Sequence, residues 1–488
     1  MVRHNWTHEK IQFVRTEGDQ LGKPLELLLS VSREGPGTLV AQIEAQLRRA
    51  IRDGELHGGA RMPSTRDLAR QLGVSRRIAV DAYAQLAAEG YLVLRQGAQP
   101  RVADAATAAT TAPVALEREP VPRYDFRPSR PDVSAFPRQA WSRCLRDAVA
   151  SISDAELIYG DPCGVETLRV ALAEYLGRVR GVVAEPARVV VTSGYIQGLG
   201  LVCRALGERG VRRIALEDPS SPEQGPIAAR AWLEPVPVPV DGSGIVVDAL
   251  ARTGAGAVVL TPAHQHPTGV VLTPERRAAL LGWLREHDAI AIEDDYDAEY
   301  RYDRAAVGAL QGLDPDRVVY AGSASKTLAP ALRLGWLVVP AALLGAVRHE
   351  KSLSDQTTAR IEQHALADFI ARGELDRHLR RMRLSYRARR DATIAAVGRA
   401  LPDAAVSGIA AGLHVTVTLA RPVDEAELRA GCARRRVEIS TLSDYRAGAF
   451  AETPTLLLGY AQIPEPAIAA GVDELAAAVG EGAAQWAG

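Results

Sequence analysis

Cysteine is scarce: the 488 residues hold only 4, Cys144, Cys163, Cys203 and Cys432, far apart and without Cys-x-x-Cys spacing. Neither a disulfide framework nor a thiolate zinc site is expected, no metal is called for, and a reducing compartment is implied. Long hydrophobic runs are missing too. No stretch approaches the roughly 18 uninterrupted apolar residues of a membrane span, and the opening MVRHNWTHEKIQF lacks the apolar segment of a secretion signal. The expectation is a cytoplasmic protein with no membrane partner. There is no excess of either charge; a net charge of -1 argues against a chain that is basic throughout but leaves room for one basic module. No internal repeat is found. What remains is a chain with 47% hydrophobic and 24% charged residues, ordinary for a globular protein and too long for one compact core.

Composition divides the chain into zones. Residues 1–35 read as a polar N-terminal extension ending at the turn Gly35-Pro36-Gly37, and residues 36–103 as a small, mostly helical module. Residues 104–123, rich in Ala, Thr and Pro without periodicity, read as a linker. From residue 124 to 488 apolar runs alternate with longer amphipathic segments; the runs are RVVVTSG (188–194), RRIALEDP (212–219), GAVVLTPA (256–263), AIAIEDDY (289–296) and RVVYAGSASK (317–326). Runs buried on both faces and separated by helices predict a mostly parallel α/β sheet.

In the small module, Leu39, Ile43, Leu47, Ala50 and Ile51 have helical spacing, closed by Gly54. Ser64 with Asp67 forms a capping pair for a short helix ending near Gly73, and Ser75 caps a second helix that stops at Gly90. Two helices joined by a tight glycine turn make a helix-turn-helix. Ala79, Val80, Tyr83 and Leu86 are expected to face its core, with Arg76 and Arg77 at the end that enters a major groove. YLVLRQGAQPRVA reads as a two-stranded wing carrying Arg95 and Arg101. Between residues 31 and 103 stand 11 arginines and no lysine against 7 acids, a footprint suited to phosphate. A helical protein-interaction domain with solvated arginines accounts for the same pattern.

The larger module has the parts of a pyridoxal phosphate site. Lys326, past a buried strand and among hydroxyl residues in GSASKTLAPALRLGW, suits a Schiff base. A loop lysine of no special role fits that segment alone equally well. Asp294, 32 residues earlier, suits the carboxylate that keeps a pyridine nitrogen protonated. A solvated loop is the alternative, but crowding four acids into EDDYD brings no evident structural gain. Phosphate needs a helix start, hydroxyls and a cation. Ser193, Gly194 and Tyr195 offer the first, and Ser323, Ser325 and Arg333 the rest. His266, in a turn after another run, is placed to approach the 3-hydroxyl side of the ring.

PSTRDLARQLGVSRRIAVDAYAQLAAEGYL resembles the GntR-type winged helix, and the resemblance implies DNA contacts from Arg66 and Arg76. The DNA-binding set is then Arg66, Ser75, Arg76, Arg77, Arg95 and Arg101. The wing departs, with Gly97-Ala98-Gln99-Pro100 where the family usually has Gly-Ser-Gly-Thr. Residues 124–488 resemble fold-type I aminotransferases, with a smaller C-terminal α+β subdomain implied. More narrowly, FRPSRPD, LIYGDPCGVETLR, HQHPTG, EDDYDAEYRY and MRLSYRARRD resemble the MocR family of GabR-like regulators, which join the same two modules. That resemblance implies the following roles: Lys326 forms the internal aldimine, Asp294 pairs with the pyridine nitrogen, and Tyr296 contacts the 3-oxygen. Arg333, Ser323 and the Ser193–Tyr195 turn hold the phosphate, and Tyr159 reaches the phosphate of the other subunit of a homodimer. Three positions depart: His266 replaces an aromatic residue or Asn, Ser221 replaces a stacking aromatic, and Leu457 stands where aminotransferases carry the carboxylate-binding arginine.

The reading is a pyridoxal phosphate-dependent regulator of operator DNA. Its aminotransferase-like domain senses a small-molecule effector, the cofactor itself or an amine or amino acid, with at most weak or half-reaction transamination. The alternatives are a working aminotransferase with an accessory DNA-binding domain, and a cofactor-binding scaffold without sequence-specific DNA binding.

Overall fold

The computed structural model describes residues 11–16, 25–104, 121–302, 307–448 and 454–486. The chain divides into two compact units, Met1–Glu119 and Pro120–Gly488. Residues 105–120, most of the expected linker, lie outside the described residues.

In the first unit the helix Leu39–Arg52 begins at Thr38, whose hydroxyl accepts from the Ala41 N–H. It buries Ile43, Leu47, Ala50 and Ile51, as the spacing predicts; Leu39, at its first position, is only half-buried. Ser64 accepts from the Asp67 N–H and donates to the Asp67 carboxylate, so the helix Thr65–Leu72 opens on the expected pair. Gly73 ends it in the left-handed region at φ 63°, where a β-carbon would be strained, and the chain turns into Arg76–Ala88. That helix buries Ala79, Ala82, Tyr83 and Leu86. Val80 is not in the core but 42% exposed, because the helical repeat places it one turn beyond Arg76 and Arg77, on their face. The strands Leu92–Val93 and Arg101–Val102 pair antiparallel as the wing.

The segment expected to be a polar lead-in carries an antiparallel strand pair, Ile11–Thr16 with Leu25–Ser30. Gln46 fastens its end to the first helix, accepting from the Ser30 N–H at 2.8 Å and donating to its carbonyl at 2.6 Å. The polar composition of the whole stretch hid the short apolar run LELLLS.

The second unit is built on an eight-stranded sheet. In spatial order it runs Val189–Thr192, Gly335–Val338, Val318–Ser323, Ile290–Asp294, Ala257–Leu260, Arg213–Asp218, Glu234–Asp241 and Gly244–Ile245. The five apolar runs supply five strands of one direction, Glu234–Asp241 adds a sixth that pairs parallel with Arg213–Asp218, and Gly335–Val338 is antiparallel to both its neighbours. Adjacent residues feed opposite cores: Val259 shares one core with Leu199, Val202 and Val347, and Val258 and Leu260 share another with Leu280 and Leu284. Pro235, Pro237 and Pro239 pair opposite Ile214, Leu216 and Asp218. They share one parity, so their missing N–H groups fall on one edge of the strand.

The smaller subdomain is a four-stranded antiparallel sheet, Ala405–Ser407, His414–Thr418, Thr455–Gly459 and Ser440–Thr441. The helices Glu374–Ala400, Glu425–Arg434 and Glu465–Trp486 belong to the same subdomain. Val415, Val417, Leu456 and Leu458 point into its core. The 4 cysteines are buried and unpaired. No helix among the described residues is long and apolar enough to cross a membrane.

Candidate functional site

Arg76 and Arg77 open the helix Arg76–Ala88 and are exposed. Ser75 takes the N-cap backbone position, but its hydroxyl makes no capping bond, which leaves it available to a ligand. Helix starts favour anions through their free N–H groups and dipole. Arg77 lies 3.8 Å from Asp81 with its side chain 90% exposed, an ion pair that contributes little. Arg66 is exposed in the first turn of Thr65–Leu72, and Arg95 is exposed in the wing turn. Arg101 is engaged: its Nη1 donates to the Gly59 carbonyl at 3.0 Å, tying down the base of the wing.

A cavity of about 410 Å³ opens in the second unit, at the carboxyl ends of the parallel strands, where open α/β sheets bind ligands. Asp294 ends one of these strands, Ser323 ends another, and Thr261 follows a third. Lys326 sits on the short helix Ala324–Thr327 directly after Ser323. The cavity brings together Lys326, Asp294, Tyr195 and Tyr296. His266, Ser323, Ser325 and Arg333 complete the sequence-derived residues in its wall. Ser193 and Gly194 stand behind Arg333. The Ser193 carbonyl accepts from Arg333 Nη2, and a β-carbon on Gly194 would come 3.0 Å from that nitrogen. The Ser193 N–H is occupied by Gln197 Oε1 at 2.7 Å, so outward N–H groups come from the first turn of Tyr195–Glu208. Tyr159 lies away from the cavity, 79% exposed beside the exposed Leu157 and Ile158.

The acidic cluster after Ile290–Asp294 corrects the idea that its acids have no structural use. Glu293 accepts from the N–H groups of Leu310 and Gln311, each at 2.9 Å. Asp295 is paired with the buried Arg180 at 2.6 Å and accepts from Tyr320. Asp297 lies 3.0 Å from His264 Nδ1, which also meets the Tyr296 hydroxyl at 3.0 Å. Asp294 alone turns into the cavity. Burial pushes it up to about 8, helped by Asp295 and opposed by Lys326 and the Tyr195 hydroxyl. Burial lowers the Lys326 ammonium, which Asp294 opposes, so the pair is poised to exchange a charge for a ligand contact.

His266 packs edge-on against Tyr296 and Tyr445, with centroids 5.3 and 5.1 Å away. Burial, with His414, Lys326 and His264, holds it well below the usual histidine range, so the ring is neutral. Its Nδ1 and the Gln224 Oε1, both in the cavity wall, are buried without hydrogen-bond partners. Native interiors rarely leave such atoms unmet, and a bound polar group would meet them. A lysine, a cavity-facing carboxyl, hydroxyls and an arginine at a helix start form the donor set for an aldehyde, a pyridine nitrogen and a phosphate. The residues present fit pyridoxal phosphate.

Sequence reasoning missed Glu217, Gln224, Tyr445 and the Pro128–Arg130 loop in this wall. It also passed over a signal: lysine occurs only at 10, 23, 326 and 351, so arginine supplies nearly every cation. A lysine kept in a cavity marks a need for an amine that can lose its proton. Gly194, at φ 95°, admits no side chain without moving Arg333. Gly194→Ala is expected to cost about 1–3 kcal/mol of stability and to weaken cofactor retention, measurable by thermal unfolding with and without pyridoxal phosphate.

Comparisons with known proteins agree with this geometry. Residues 39–102 match the model of the bacterial regulatory proteins of the gntR family, and residues 132–439 that of aminotransferase class I and II. The pyridoxine biosynthesis transcriptional regulator PdxR of Corynebacterium glutamicum is 33% identical over 88% of this chain and 93% of its own. MocR of Rhizobium meliloti, a probable rhizopine catabolism regulatory protein, is 32% identical over 92% and 96%. The multiple substrate aminotransferase of Thermococcus profundus superposes with a TM-score of 0.68 at 24% identity, over 75% of this chain and 93% of its own; it shows the fold. The chain belongs to the MocR family of transcription regulators, in which a GntR-type DNA-binding domain is joined to an aminotransferase-like domain that uses pyridoxal phosphate.

Proposed function

We propose that the protein is a cytoplasmic homodimer that binds operator DNA through its winged helix. Its hold on DNA changes when a small amine reaches the cofactor in the cavity. The observation that carries this reading is the cavity holding Lys326, Asp294 and Arg333 together, on a chain that also bears a basic winged helix. When bound, pyridoxal phosphate supplies an aldehyde that captures amines and a ring that withdraws electrons. Lys326, with its proton loosened by burial, is the amine that holds the aldehyde. Asp294 accepts the hydrogen bond of the ring nitrogen. Tyr296 and His266, both in the cavity wall, would meet the 3-oxygen of the ring. Arg333, Ser323, Ser325 and the first turn of the helix that opens at Tyr195 would hold the phosphate, with Ser193 and Gly194 backing Arg333. The exposure of Tyr159 supports a contact outside its own subunit, at the phosphate of the partner. On DNA, Arg66, Ser75, Arg76 and Arg77 read the major groove, and Arg95 and Arg101 lie along the backbone beside the wing.

An effector acts by binding two states of the dimer unequally. The test is DNA affinity of the full chain with pyridoxal phosphate alone and with added primary amines. A change of about 5- to 150-fold is expected when the right amine is present; no change under any condition refutes the reading. A second reading, in which the cofactor itself is the effector, is favoured by the similarity to PdxR, and a full response to pyridoxal phosphate alone would select it.

Steady-state transamination is expected to be far slower than the roughly 1–10³ per second typical of enzymes. Leu457, at the position where aminotransferases carry an arginine, is fully buried in the strand Thr455–Gly459, so no carboxylate anchor stands at the place aminotransferases use to align an amino acid for turnover. Product assays with common amino donors check this, and turnover in the typical range would favour the enzyme reading.

A further inference from the structure

We propose that Arg130 reads the effector, which is therefore a primary amine carrying a single carboxylate: a simple amino acid. This rests on the reading of the cavity as a cofactor site. The cavity wall carries the cations Lys326, Arg333 and Arg130. Lys326 and Arg333 are engaged by the aldehyde and the phosphate under that reading. Arg130 has no such duty.

The geometry gives Arg130 freedom and a fixed base. Arg127 already makes two hydrogen bonds to the Asp125 carboxylate, at 2.9 and 2.6 Å, while Arg130 makes one, at 3.2 Å. The Arg130 side chain is 46% exposed, so most of its donor fork is available for a planar carboxylate. Its backbone is held. Ser129, at φ 61°, is in the left-handed region, costly for serine and kept only where the surroundings dictate it. Pro128 and Pro131 flank this stretch. The Gly459 N–H donates to the Phe126 carbonyl at 2.6 Å, and Gly459 has no room for a side chain against Arg127 and Pro128. The loop is thus laid on the strand that carries Leu457, and it brings to the cavity a cation which that strand lacks. Arg130 and Lys326 line the same cavity of about 410 Å³, so a small ligand held there can present its amine to one and its acid to the other. Glu223, also in the wall, would repel a second carboxylate on the ligand.

The test is a spectral titration of the cofactor-loaded full chain with α-alanine, β-alanine and ethylamine, the amine that both acids become without their carboxylate. Wild-type protein is expected to bind at least one alanine about 10- to 100-fold more tightly than ethylamine. Arg130→Ala and Arg130→Gln should remove that preference while leaving ethylamine affinity and the starting cofactor spectrum unchanged. Arg130→Lys should keep part of it, because a point charge replaces a fork. Equal affinity of wild type for ethylamine and both alanines overturns the proposal, as does an undiminished preference in the Ala and Gln variants. A wild-type chain that takes up no cofactor fails the underlying reading instead, and the proposal falls with it.

Discussion

The Lys326→Ala protein is expected to lack the lysine-linked chromophore of the wild type, and borohydride reduction should leave no pyridoxyl adduct on it. No other residue can replace the lysine. Lys351 is the only other lysine in the second unit; its side chain is 0% exposed and bonds Asp355 and Thr358. Arginine, always protonated, cannot hold an aldehyde. The rest of the site should still bind the cofactor by its phosphate, but reversibly, so dialysis should strip it from the variant. The fold should survive, because Lys326 faces a cavity rather than a core. A stability change within about 1 kcal/mol is expected, as for changes that disturb no packing. Response of DNA binding to amines should disappear. Peptide mapping that finds the reduced group on Lys351, or on the variant, would end the assignment.

Arg76→Ala and Arg66→Ala should each weaken operator binding by about 1–3 kcal/mol if the side chain reads a base edge. Both side chains are exposed, and neither is tied to a carboxylate as Arg48 is to Glu89 at 2.9 Å. They are free for DNA. A side chain that touches only phosphate gives a similar loss on every sequence and a shallower salt dependence, so titrations at several ionic strengths separate the two roles. Arg101→Ala should act differently, loosening the wing from Gly59 and lowering the stability of the first unit along with DNA affinity. Unchanged binding in both Arg66 and Arg76 variants, on any DNA, would count against these contacts.

The helix-turn-helix was legible in sequence because its signals are local. Ser64 with Asp67, the glycine at 73 and a stripe of apolar residues act within one or two turns. Val80 shows where this stops. It is apolar and one of the four residues expected to face the core, yet 42% exposed, because which side of a short helix is buried depends on what packs against it. In the second unit five strands announced themselves as apolar runs, while the proline-interrupted Glu234–Asp241, parallel to Arg213–Asp218, did not. Nor did the antiparallel Gly335–Val338, since strand direction is set by pairing with Val189–Thr192 and Val318–Ser323.

The sequence alone determined that the chain joins a DNA-binding helix-turn-helix to an α/β module, and that Asp294 ends one buried strand while Lys326 lies just past another. Periodicity, caps and ordered motifs need only neighbouring residues to be meaningful. Only the tertiary structure decided which acids of EDDYD are already used. Arg180, His264 and the N–H groups of Leu310 and Gln311 arrive from distant segments to claim Asp295, Asp297 and Glu293, leaving Asp294 for the cavity. It also decided that Arg130, more than 300 residues from Leu457 in the chain, comes to the cavity on a loop fastened to Leu457's strand. Charge partners and cavity walls are made by contacts between remote residues, and a linear reading has no measure of that proximity.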